Sequence, residues 1–559
     1  MITKIAFLSN YTIDLIINNF KNLAEKSRIS IKTYYPGFNQ ISNEIRNQNS
    51  GLYQFEPDMI FISFDVNPLI FDSINSDDDA KKFDRLFTEF FDMLKELNNK
   101  LSHSIILIEN FYLDPVLNSG TLEYNDRNSL ENLLLQKNFE LVNFKEQNPN
   151  FKIVDINSLL KYYGASELFD YKYYYLAKYR WSSKGVKHLS NLYLNHLKAY
   201  LGFRKKCIVL DLDNTLWGGI IGQDGLENLI LSNDGLGKSY YDFQKLLLML
   251  YSRGIILAIC SKNSENVVDE VFEKHPYMLI KKSHLASLKI NWNNKFENIK
   301  DIANELNIGL DSIVFLDDSE FERNLIRQQL PEVEVPDLPK DPTLYPHFLS
   351  QLEFFNFHQL TSEDFQRNKT YHENLQRKEY QKSFKTFEDY LKSLNMVVKI
   401  DEINNFTFPR ILQLIQKTNQ FNTTTKRYTE SVLKQIMNDS NYKIYSFSVE
   451  DKFGDNGIVG VVILKLDFEE TKMVIDSFIM SCRVIGRNIE SAIIYFILNK
   501  AKSLKFNSVE AEIIPTEKNE PCRDVYKKNH FTETQKNQWL FNVNENVLNL
   551  PDYFILKTD

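Results

Sequence analysis

Polar residues stand at four places in the middle of this sequence, in an order that suits phosphoryl transfer. They are Asp211 and Asp213, Ser261, Lys295, and Asp317 with Asp318. An isolated pair of carboxylates two residues apart would prove little. Suitable residues at four successive places argue against the alternative, in which these are ordinary solvated carboxylates.

The runs that precede these residues have the pattern of buried strands. Cys207 to Leu210, Ile255 to Cys260 and Ser312 to Leu316 are short, apolar and separated by helical patterns. In open α/β sheets, ligands collect where the carboxyl ends of parallel strands meet. We therefore expect a Rossmannoid sheet that brings the polar residues to one edge.

The carboxylates at this edge suit a magnesium-dependent reaction. A carboxylate that attacks phosphorus needs its charge screened, and Mg²⁺ held by oxygen ligands does this. We assign Asp211 and Asp317 as the principal metal carboxylates, with Asp213 and Asp318 in the same site. Asp211 is then the nucleophile that forms an aspartyl-phosphate, and Asp213 protonates the leaving oxygen and later activates water.

Ser261 and Lys295 are predicted to hold the transferred phosphoryl oxygens, the lysine offsetting charge in the transition state. Between Asp213 and Ser261, and again between Ser261 and Lys295, the chain has room for little more than one helix. The site should therefore have no large cap domain. An uncapped site suits a bulky substrate or closure by a neighbouring domain.

Changes in pattern divide the 559 residues into about three domains, as the length leads one to expect. We predict a first α/β domain over residues 1–200 and a second over residues 201–355. A polar helical linker follows over residues 356–395, and an α+β domain with two neighbouring strands and an amphipathic helix occupies residues 396–559. The fold class is thus multidomain α/β.

Composition excludes several functional classes. The net charge of −8 and the absence of a dense basic segment argue against nucleic acid as a partner. The sequence contains no run of about 18 apolar residues, which a membrane-spanning helix would need. Its N-terminus also lacks the pattern of a secretory signal. Four widely spaced cysteines without a CxxC pair argue against disulfides or structural zinc. These features predict a cytoplasmic protein.

Longer motifs carry a family resemblance. The segment from Leu210 to Leu226, LDLDNTLWGGIIGQDGL, closely resembles the FkbH-like family of haloacid-dehalogenase-type (HAD) glyceryltransferase/phosphatases. Three further stretches resemble signatures of that family: Ala258 to Asn263 (AICSKN), Lys417 to Asn422 (KTNQFN) and Ser481 to Arg487 (SCRVIGR).

The resemblance implies three domains: an SGNH-hydrolase-like or flavodoxin-like α/β domain, a HAD domain, and an acetyltransferase-like (GNAT-like) domain. It also implies an activity. Such proteins take 1,3-bisphosphoglycerate, remove phosphate, and load a glyceryl unit as a thioester on the phosphopantetheine of an acyl carrier protein for polyketide or related biosynthesis.

The first domain departs from the hydrolase pattern. Ser9-Asn10-Tyr11 stands where a hydrolase has Gly-Asp-Ser, and Ala177 and Arg180 occupy the positions of the catalytic Asp and His. We therefore expect a structural or docking role here in place of esterase activity.

In the third domain, the segment from Arg483 to Asn488 resembles the loop whose backbone amides accept coenzyme A phosphates at a helix N-terminus. Arg483, Gly486, Arg487 and Asn488 are the predicted binding residues. Asn488 stands where a small residue is usual, which favours carrier-bound phosphopantetheine over free coenzyme A.

Two cysteines are candidates for carrying the acyl group, because a thiolate attacks an acyl phosphate readily. They are Cys482, which precedes Arg483, and Cys260, which precedes Ser261. We prefer Cys482, although free cysteines are often simply small buried residues. Two other functions stay open: a plain small-molecule phosphatase of carbohydrate or capsule biosynthesis, and a non-catalytic scaffold that binds a carrier protein.

Overall fold

The protein is described here by a computed structural model that covers residues 2–73, 79–118, 120–358, 360, 362–545 and 548–558. Two compact units divide at Leu201 and Gly202. The first unit contains one sheet, and the second contains two sheets with a long helix between them in sequence. Each unit is described separately below.

The first unit is a five-stranded parallel sheet in the order β2-β1-β3-β4-β5, with helices on both faces. Its strands are β1 (Thr3–Ser9), β2 (Ile31–Tyr34), β3 (Met59–Ser63), β4 (Ile105–Glu109) and β5 (Phe151–Val154). Its helices are α1 (Asp14–Lys26), α2 (Ile41–Arg46), α3 (Gly51–Phe55), α4 (Asn67–Ser73), α5 (Asp79–Lys100), α6 (Leu130–Gln147), α7 (Ile156–Tyr163), α8 (Ala165–Leu168), α9 (Tyr171–Ala177) and α10 (Ser183–Leu201).

Helices can cover both faces of this sheet because its strands are apolar on both sides. All five residues of β3 are buried, as expected for a strand covered on both faces. Alternate residues of β1 contribute to different cores, with Ile5 and Phe7 in one and Ala6 and Leu8 in the other.

A closed polar network fills the carboxyl edge of this sheet, where a hydrolase would have its catalytic residues. Arg180 is buried and forms ion pairs with Asp65, at 2.7 Å, and with Asp114. Beside it, the buried carboxylate of Glu109 accepts hydrogen bonds from Tyr193 and from Ser63, the latter at 3.2 Å. Arginine therefore forms a buried ion-pair network at the position of the expected histidine.

The second unit begins with a four-stranded parallel sheet in the order β8-β7-β6-β9. Its strands are β6 (Cys207–Leu210), β7 (Ile256–Ser261), β8 (Leu285–Ile290) and β9 (Ile313–Leu316). The helices are α11 (Ile221–Asp224), α12 (Gly237–Ser252), α13 (Glu265–Lys274), α14 (Lys295–Leu306), α15 (Glu320–Gln329) and α16 (Tyr345–Ser350). Residues 211–317 are all described and contain no inserted cap domain.

Two helices follow this sheet, α17 (Ser362–Gln381) and α18 (Phe387–Ser393). Residues 356–395 were predicted as a linker, but α17 is packed at both ends. Near its start, Asp364 accepts from Arg204 at 2.9 Å and also pairs with Arg367. Near its end, Arg377 donates to both carboxylate oxygens of Asp451, at 2.8 and 2.7 Å. Helix α17 thus joins the HAD and third domains into one unit.

The third domain is built on an eight-stranded sheet in the order β15-β16-β14-β13-β12-β11-β10-β17. The strands are β10 (Met396–Glu402), β11 (Tyr442–Asp451), β12 (Gly454–Asp467), β13 (Lys472–Met480), β14 (Ser508–Glu512), β15 (Thr532–Gln535), β16 (Gln538–Asn542) and β17 (Phe554–Thr558). The helices are α19 (Phe408–Lys417), α20 (Glu430–Asn438), α21 (Ile489–Ser503) and α22 (Val525–Lys528).

Strands β10 to β13 are antiparallel, whereas β14 returns parallel to β13 after crossing through α21. This is an α+β arrangement, the class that the sequence resemblance implies for the third domain. None of the described helices in the chain is both long and apolar enough to cross a membrane.

Candidate active site

The central carboxylates of the HAD domain lie side by side because the strands that precede them are paired. Strands β6 and β9 are parallel neighbours, with Leu210 opposite Leu316. Asp211 and Asp317 directly follow these residues, and the amide of Asp211 donates to the carbonyl of Leu316 at 3.0 Å. The sheet therefore holds both carboxyl groups at its carboxyl edge, as predicted.

Lys295 bridges these two carboxylates from the start of α14. Its Nζ lies 2.9 Å from Asp211 Oδ1 and 2.6 Å from Asp317 Oδ2. Burial lowers the pKa of Lys295, but the two carboxylates outweigh this effect and raise it above the ordinary value. The lysine is therefore a fixed cation at the point where a phosphoryl group would approach Asp211.

Carboxylate oxygens of Asp211, Asp317 and Asp318 all lie within 4.8 Å of one another. Burial and the charge of Asp211 raise the pKa of Asp317, while Lys295 opposes that rise. Three carboxylates thus share one ammonium group, which leaves excess negative charge on a set of hard oxygen donors. Such a set fits a divalent cation such as Mg²⁺.

The carboxylate of Asp213 lies outside this group of three. Its Oδ1 accepts from Trp217 Nε1 at 2.9 Å and from the amide of Ile221 at 3.2 Å, and its Oδ2 accepts from Asn263 Nδ2 at 2.8 Å. Burial raises its pKa, although these hydrogen bonds oppose the rise. The predicted metal role of Asp213 is not reproduced by this geometry, whereas its acid/base role stays a prediction.

Ser261 ends β7 as predicted, and its Oγ is 3.5 Å from Asn263 Nδ2. Sequence reasoning missed several residues that orient the site. Arg323 donates to the carbonyls of Asp317 and Asp318, at 2.8 and 2.7 Å, and Asn263 holds Asp213. Asn263 follows Ser261 closely enough to have been found, but Arg323 lies on a helix with no distinguishing motif.

The two candidate cysteines have different environments. Cys260 is buried inside β7, where burial raises the pKa of its thiol to about 12. A buried, protonated thiol is neither accessible nor nucleophilic, so the structure contradicts an acyl-carrying role for Cys260. Cys482 is partly exposed and lines a cavity of about 510 Å³.

This cavity lies at the amino edge of the HAD sheet and also contacts the third domain. Its walls include Lys206 and Ser312, which directly precede β6 and β9, and Thr418, Asn419 and Cys482 from two of the motifs noted in the sequence. The amide of Lys206 donates to the carbonyl of Ser312 at 2.7 Å. Asp211 lies five residues beyond Lys206, which corresponds to about 16 Å along a strand.

The loop before α21 differs from the sequence prediction at Arg487. Its guanidinium is buried, and it donates to Asp451 at 3.1 Å and to Asn374 at 2.6 Å. It is therefore committed to internal hydrogen bonds, which corrects its assignment as a phosphate ligand. Asn488 donates to Tyr553 at 3.2 Å.

The carboxylate of Glu490, in the first turn of α21, lies close to the helix N-terminus and has a raised pKa because of burial. A carboxylate there competes with any phosphate for the positive end of the helix dipole. Binding by Arg483 and Gly486 stays a prediction.

Comparison with known proteins gives two informative matches. The family model described as "FkbH, N-terminal domain" matches residues 4–195. The crystal structure of the N-terminal part of the protein BF1531 from Bacteroides fragilis, which contains a phosphatase domain complexed with Mg, is 33% identical. The alignment covers 64% of this chain and 95% of that chain, with a TM-score of 0.60.

Two further solved structures show weaker similarity, and each aligns with about a quarter of the chain. A variant of spermidine N-acetyltransferase SpeG from Vibrio cholerae is 13% identical over 26% of this chain and 95% of its own, with a TM-score of 0.22. A domain from Methanocaldococcus jannaschii is 16% identical over 26% and 95%, with a TM-score of 0.21. Similarities this weak carry no argument about function. No curated protein matches the chain.

Proposed function

Because the chain belongs to the FkbH-like family of HAD proteins, we propose that it is a magnesium-dependent phosphatase coupled to acyl transfer. Its substrate would be 1,3-bisphosphoglycerate or a similar phosphorylated small molecule, and its product a glyceryl thioester on an acyl carrier protein. The observation that carries the phosphatase assignment is Lys295, which contacts both Asp211 and Asp317.

The hydrolytic step follows from the positions of these side chains. An oxygen of Asp211 attacks phosphorus, and Asp213 protonates the leaving oxygen. Lys295 and Ser261 hold the phosphoryl oxygens as charge develops on them. Asp213 then takes a proton from water, which attacks the aspartyl-phosphate and regenerates Asp211.

Two further features support this assignment of roles. Trp217 and Asn263 donate hydrogen bonds to separate oxygens of Asp213, and these two bonds orient the carboxyl group for proton transfer. Asp211, Asp317 and Asp318 would hold Mg²⁺, which supplies charge compensation for the phosphate when bound. The magnesium bound to the phosphatase domain of the Bacteroides fragilis protein supports this choice of cation.

The acyl-transfer step is assigned to Cys482. Among the four cysteines it is the one that is not buried, and it lines a cavity large enough for a small acyl group. The asparagine and threonine side chains of the Thr418–Asn419 segment in the same cavity can hydrogen-bond the amides of a phosphopantetheine arm. We therefore propose the thiol of a carrier protein as the final acceptor.

Incubation with 1,3-bisphosphoglycerate, Mg²⁺ and candidate holo-carriers tests this function. Intact-protein mass should show a hydroxylamine-sensitive adduct on the enzyme, followed by a glyceryl group on a carrier. The adduct should be absent from a Cys482→Ala variant and present on a Cys522→Ala control.

Phosphate release without any adduct would instead establish the second candidate, a plain small-molecule phosphatase. That candidate is favoured by the separation of about 16 Å between the two sites, because the phosphatase residues form a complete set on their own.

A further inference from the structure

We infer that the cavity beside Cys482 contains its own anion-binding site, formed by Lys206, Tyr371 and Arg483, which takes the phosphate of an acyl phosphate independently of the Asp211 centre. The inference rests on the proposed function for its substrate class. It adds a second phosphate site to the protein, at the opposite edge of the HAD sheet from the first.

The charge of the cavity wall is the first argument. Six cationic side chains and four carboxylates line it, so the wall has a net positive charge. Several of these cations already have protein partners, such as Lys518, which pairs with Asp311 at 2.7 Å. Lys206 differs, because among the described residues no carboxylate lies within ion-pair distance of its ammonium group.

Tyr371 provides a second, independent argument. It comes from α17, it is only 6% exposed, and its side chain lines the cavity. Its hydroxyl has no hydrogen-bond partner within the described part of the chain, and its neighbours include the guanidinium groups of Arg367 and Arg483 and the thiol of Cys482. Buried hydroxyl groups are normally hydrogen-bonded. The Tyr371 side chain lines the cavity, so its hydroxyl can serve as a donor or acceptor for a ligand there.

The backbone beside the thiol is held from both domains. Asn307 of the HAD domain donates to the carbonyl of Cys482 at 2.7 Å, and Arg487 and Asn374 donate to the carbonyl of Arg483, at 3.0 and 3.4 Å. The thiol and the Arg483 side chain therefore start from fixed backbone positions. Fixed positions are what a binding site needs in order to act without reorganisation.

These groups suit one reaction. The sulfur of Cys482 attacks the carbonyl carbon of an acyl phosphate, and the thiol proton passes to the departing phosphate. The C–S bond forms as the C–O bond to phosphate breaks, and inorganic phosphate leaves with the bonding electron pair. Lys206 and Arg483 neutralise the departing phosphate, and the Tyr371 hydroxyl can donate to the carbonyl oxygen as it becomes negative.

The separation of the two sites adds a constraint. Lys206 and Asp211 are at opposite ends of β6, about 16 Å apart along the strand. A three-carbon acyl phosphate cannot contact both at once. The acyl phosphate at one end of a bisphosphorylated substrate would thus be consumed at Cys482, while a phosphate ester would be hydrolysed at Asp211.

Alkylation of Cys482 in the full-length protein tests the anion site without any turnover. Iodoacetate, which is anionic, and iodoacetamide, which is neutral, are compared by peptide mass spectrometry, with and without inorganic phosphate. We expect phosphate to slow the labelling of Cys482. In Lys206→Met, we expect the preference for iodoacetate to fall about tenfold, as for the loss of one charge-assisted contact, and the protection by phosphate to be lost.

Lys205→Met is the matched control, because it removes the adjacent lysine, which does not line the cavity. It should label like the wild type. Equal protection by phosphate in the wild type and in Lys206→Met would overturn the inference, even if the acyl adduct forms on Cys482 and the proposed function stands.

Separation of the sites is tested with 1,3-bisphosphoglycerate and Asp211→Asn. We expect this variant to gain an adduct on Cys482 that is heavier than the wild-type adduct by one phosphoryl group. Failure of Asp211→Asn to form an adduct that the wild type does form would show that the two sites are not independent. Absence of the adduct from the wild type as well would refute the acyl-transfer part of the proposed function, while the alkylation result would still decide the anion site.

Discussion

Replacing Glu109 by glutamine removes a buried carboxylate from the first unit and should change how the stability of that unit depends on pH. Burial raises the pKa of Glu109 from 4.5 to about 7, although hydrogen bonds from Tyr193, Ser63 and Tyr11 oppose the rise. Between those two values the folded chain binds more protons at this position than the unfolded chain. The free energy of unfolding therefore falls as the pH rises through this window.

The size of the effect follows from the shift in pKa. Each pKa unit corresponds to about 1.4 kcal/mol of stability, so the carboxyl group contributes about 3 kcal/mol to the free energy of unfolding. This contribution is fully present below pH 4.5 and is lost as the pH rises to about 7. Glutamine is nearly isosteric and does not titrate. In Glu109→Gln this part of the pH dependence should disappear.

Urea unfolding between pH 4.5 and 7.5 measures the effect. The fluorescence of Trp181 reports unfolding, in a protein whose other three tryptophans are replaced by phenylalanine. Trp181 is a suitable probe because its Nε1 donates to Tyr11 at 3.2 Å, and Tyr11 contacts Glu109. Glu146→Gln, which removes an exposed carboxylate, is the control and should keep the wild-type slope. Parallel pH profiles for Glu109→Gln and the wild type would refute the reasoning.

Three other predictions concern the second unit. Asp211→Asn should lower phosphate release by on the order of 10³-fold or more, because the amide cannot form the phosphoenzyme, and removal of Mg²⁺ should have the same effect. The far-ultraviolet circular dichroism of the variant should be unchanged, and near-normal turnover would contradict the nucleophile assignment. Arg377→Met should lower the free energy of unfolding by about 1.5–3 kcal/mol, because buried Asp451 loses one of its two cationic partners among the described residues and keeps only Arg487. Lys382→Met, at an exposed ion pair, should cost under about 1 kcal/mol in the same urea titration. In a competition assay, holo-carrier should be preferred over free coenzyme A by roughly 10- to 100-fold, since the carboxylate of Glu490 competes with a pyrophosphate at the N-terminus of α21. Equal transfer to both acceptors would count against a carrier thiol.

The strands that carry the phosphatase residues could be predicted closely from the sequence. Cys207 to Leu210 is a continuous apolar run, and such runs are typical of parallel strands covered on both faces. Because parallel strands end at a common edge, the meeting of Asp211 and Asp317 followed from the strand pattern alone.

Contacts between distant segments could not be predicted in this way. Residues 356–395 are polar in sequence and were interpreted as a linker, yet their charged side chains are buried in ion pairs with Arg204 and Asp451. A charge pattern does not reveal whether a charge faces water or a partner 74 residues away. The same limit applies to Arg487, whose loop motif is intact while its side chain is used internally.

The two buried ion-pair groups at the ends of α17 have a consequence for how this protein can be rearranged by recombination. Exchanging only the HAD domain for a foreign one would remove Arg204 and leave Asp364 paired with Arg367. Exchanging only the third domain would remove Asp451 and leave Arg377 with Glu373, at 3.8 Å. Each exchange therefore takes one partner away from a buried charge, which is destabilising. Residues from Gly202 to the end of the chain form one compact unit and should therefore be exchanged together in any recombinant of this protein.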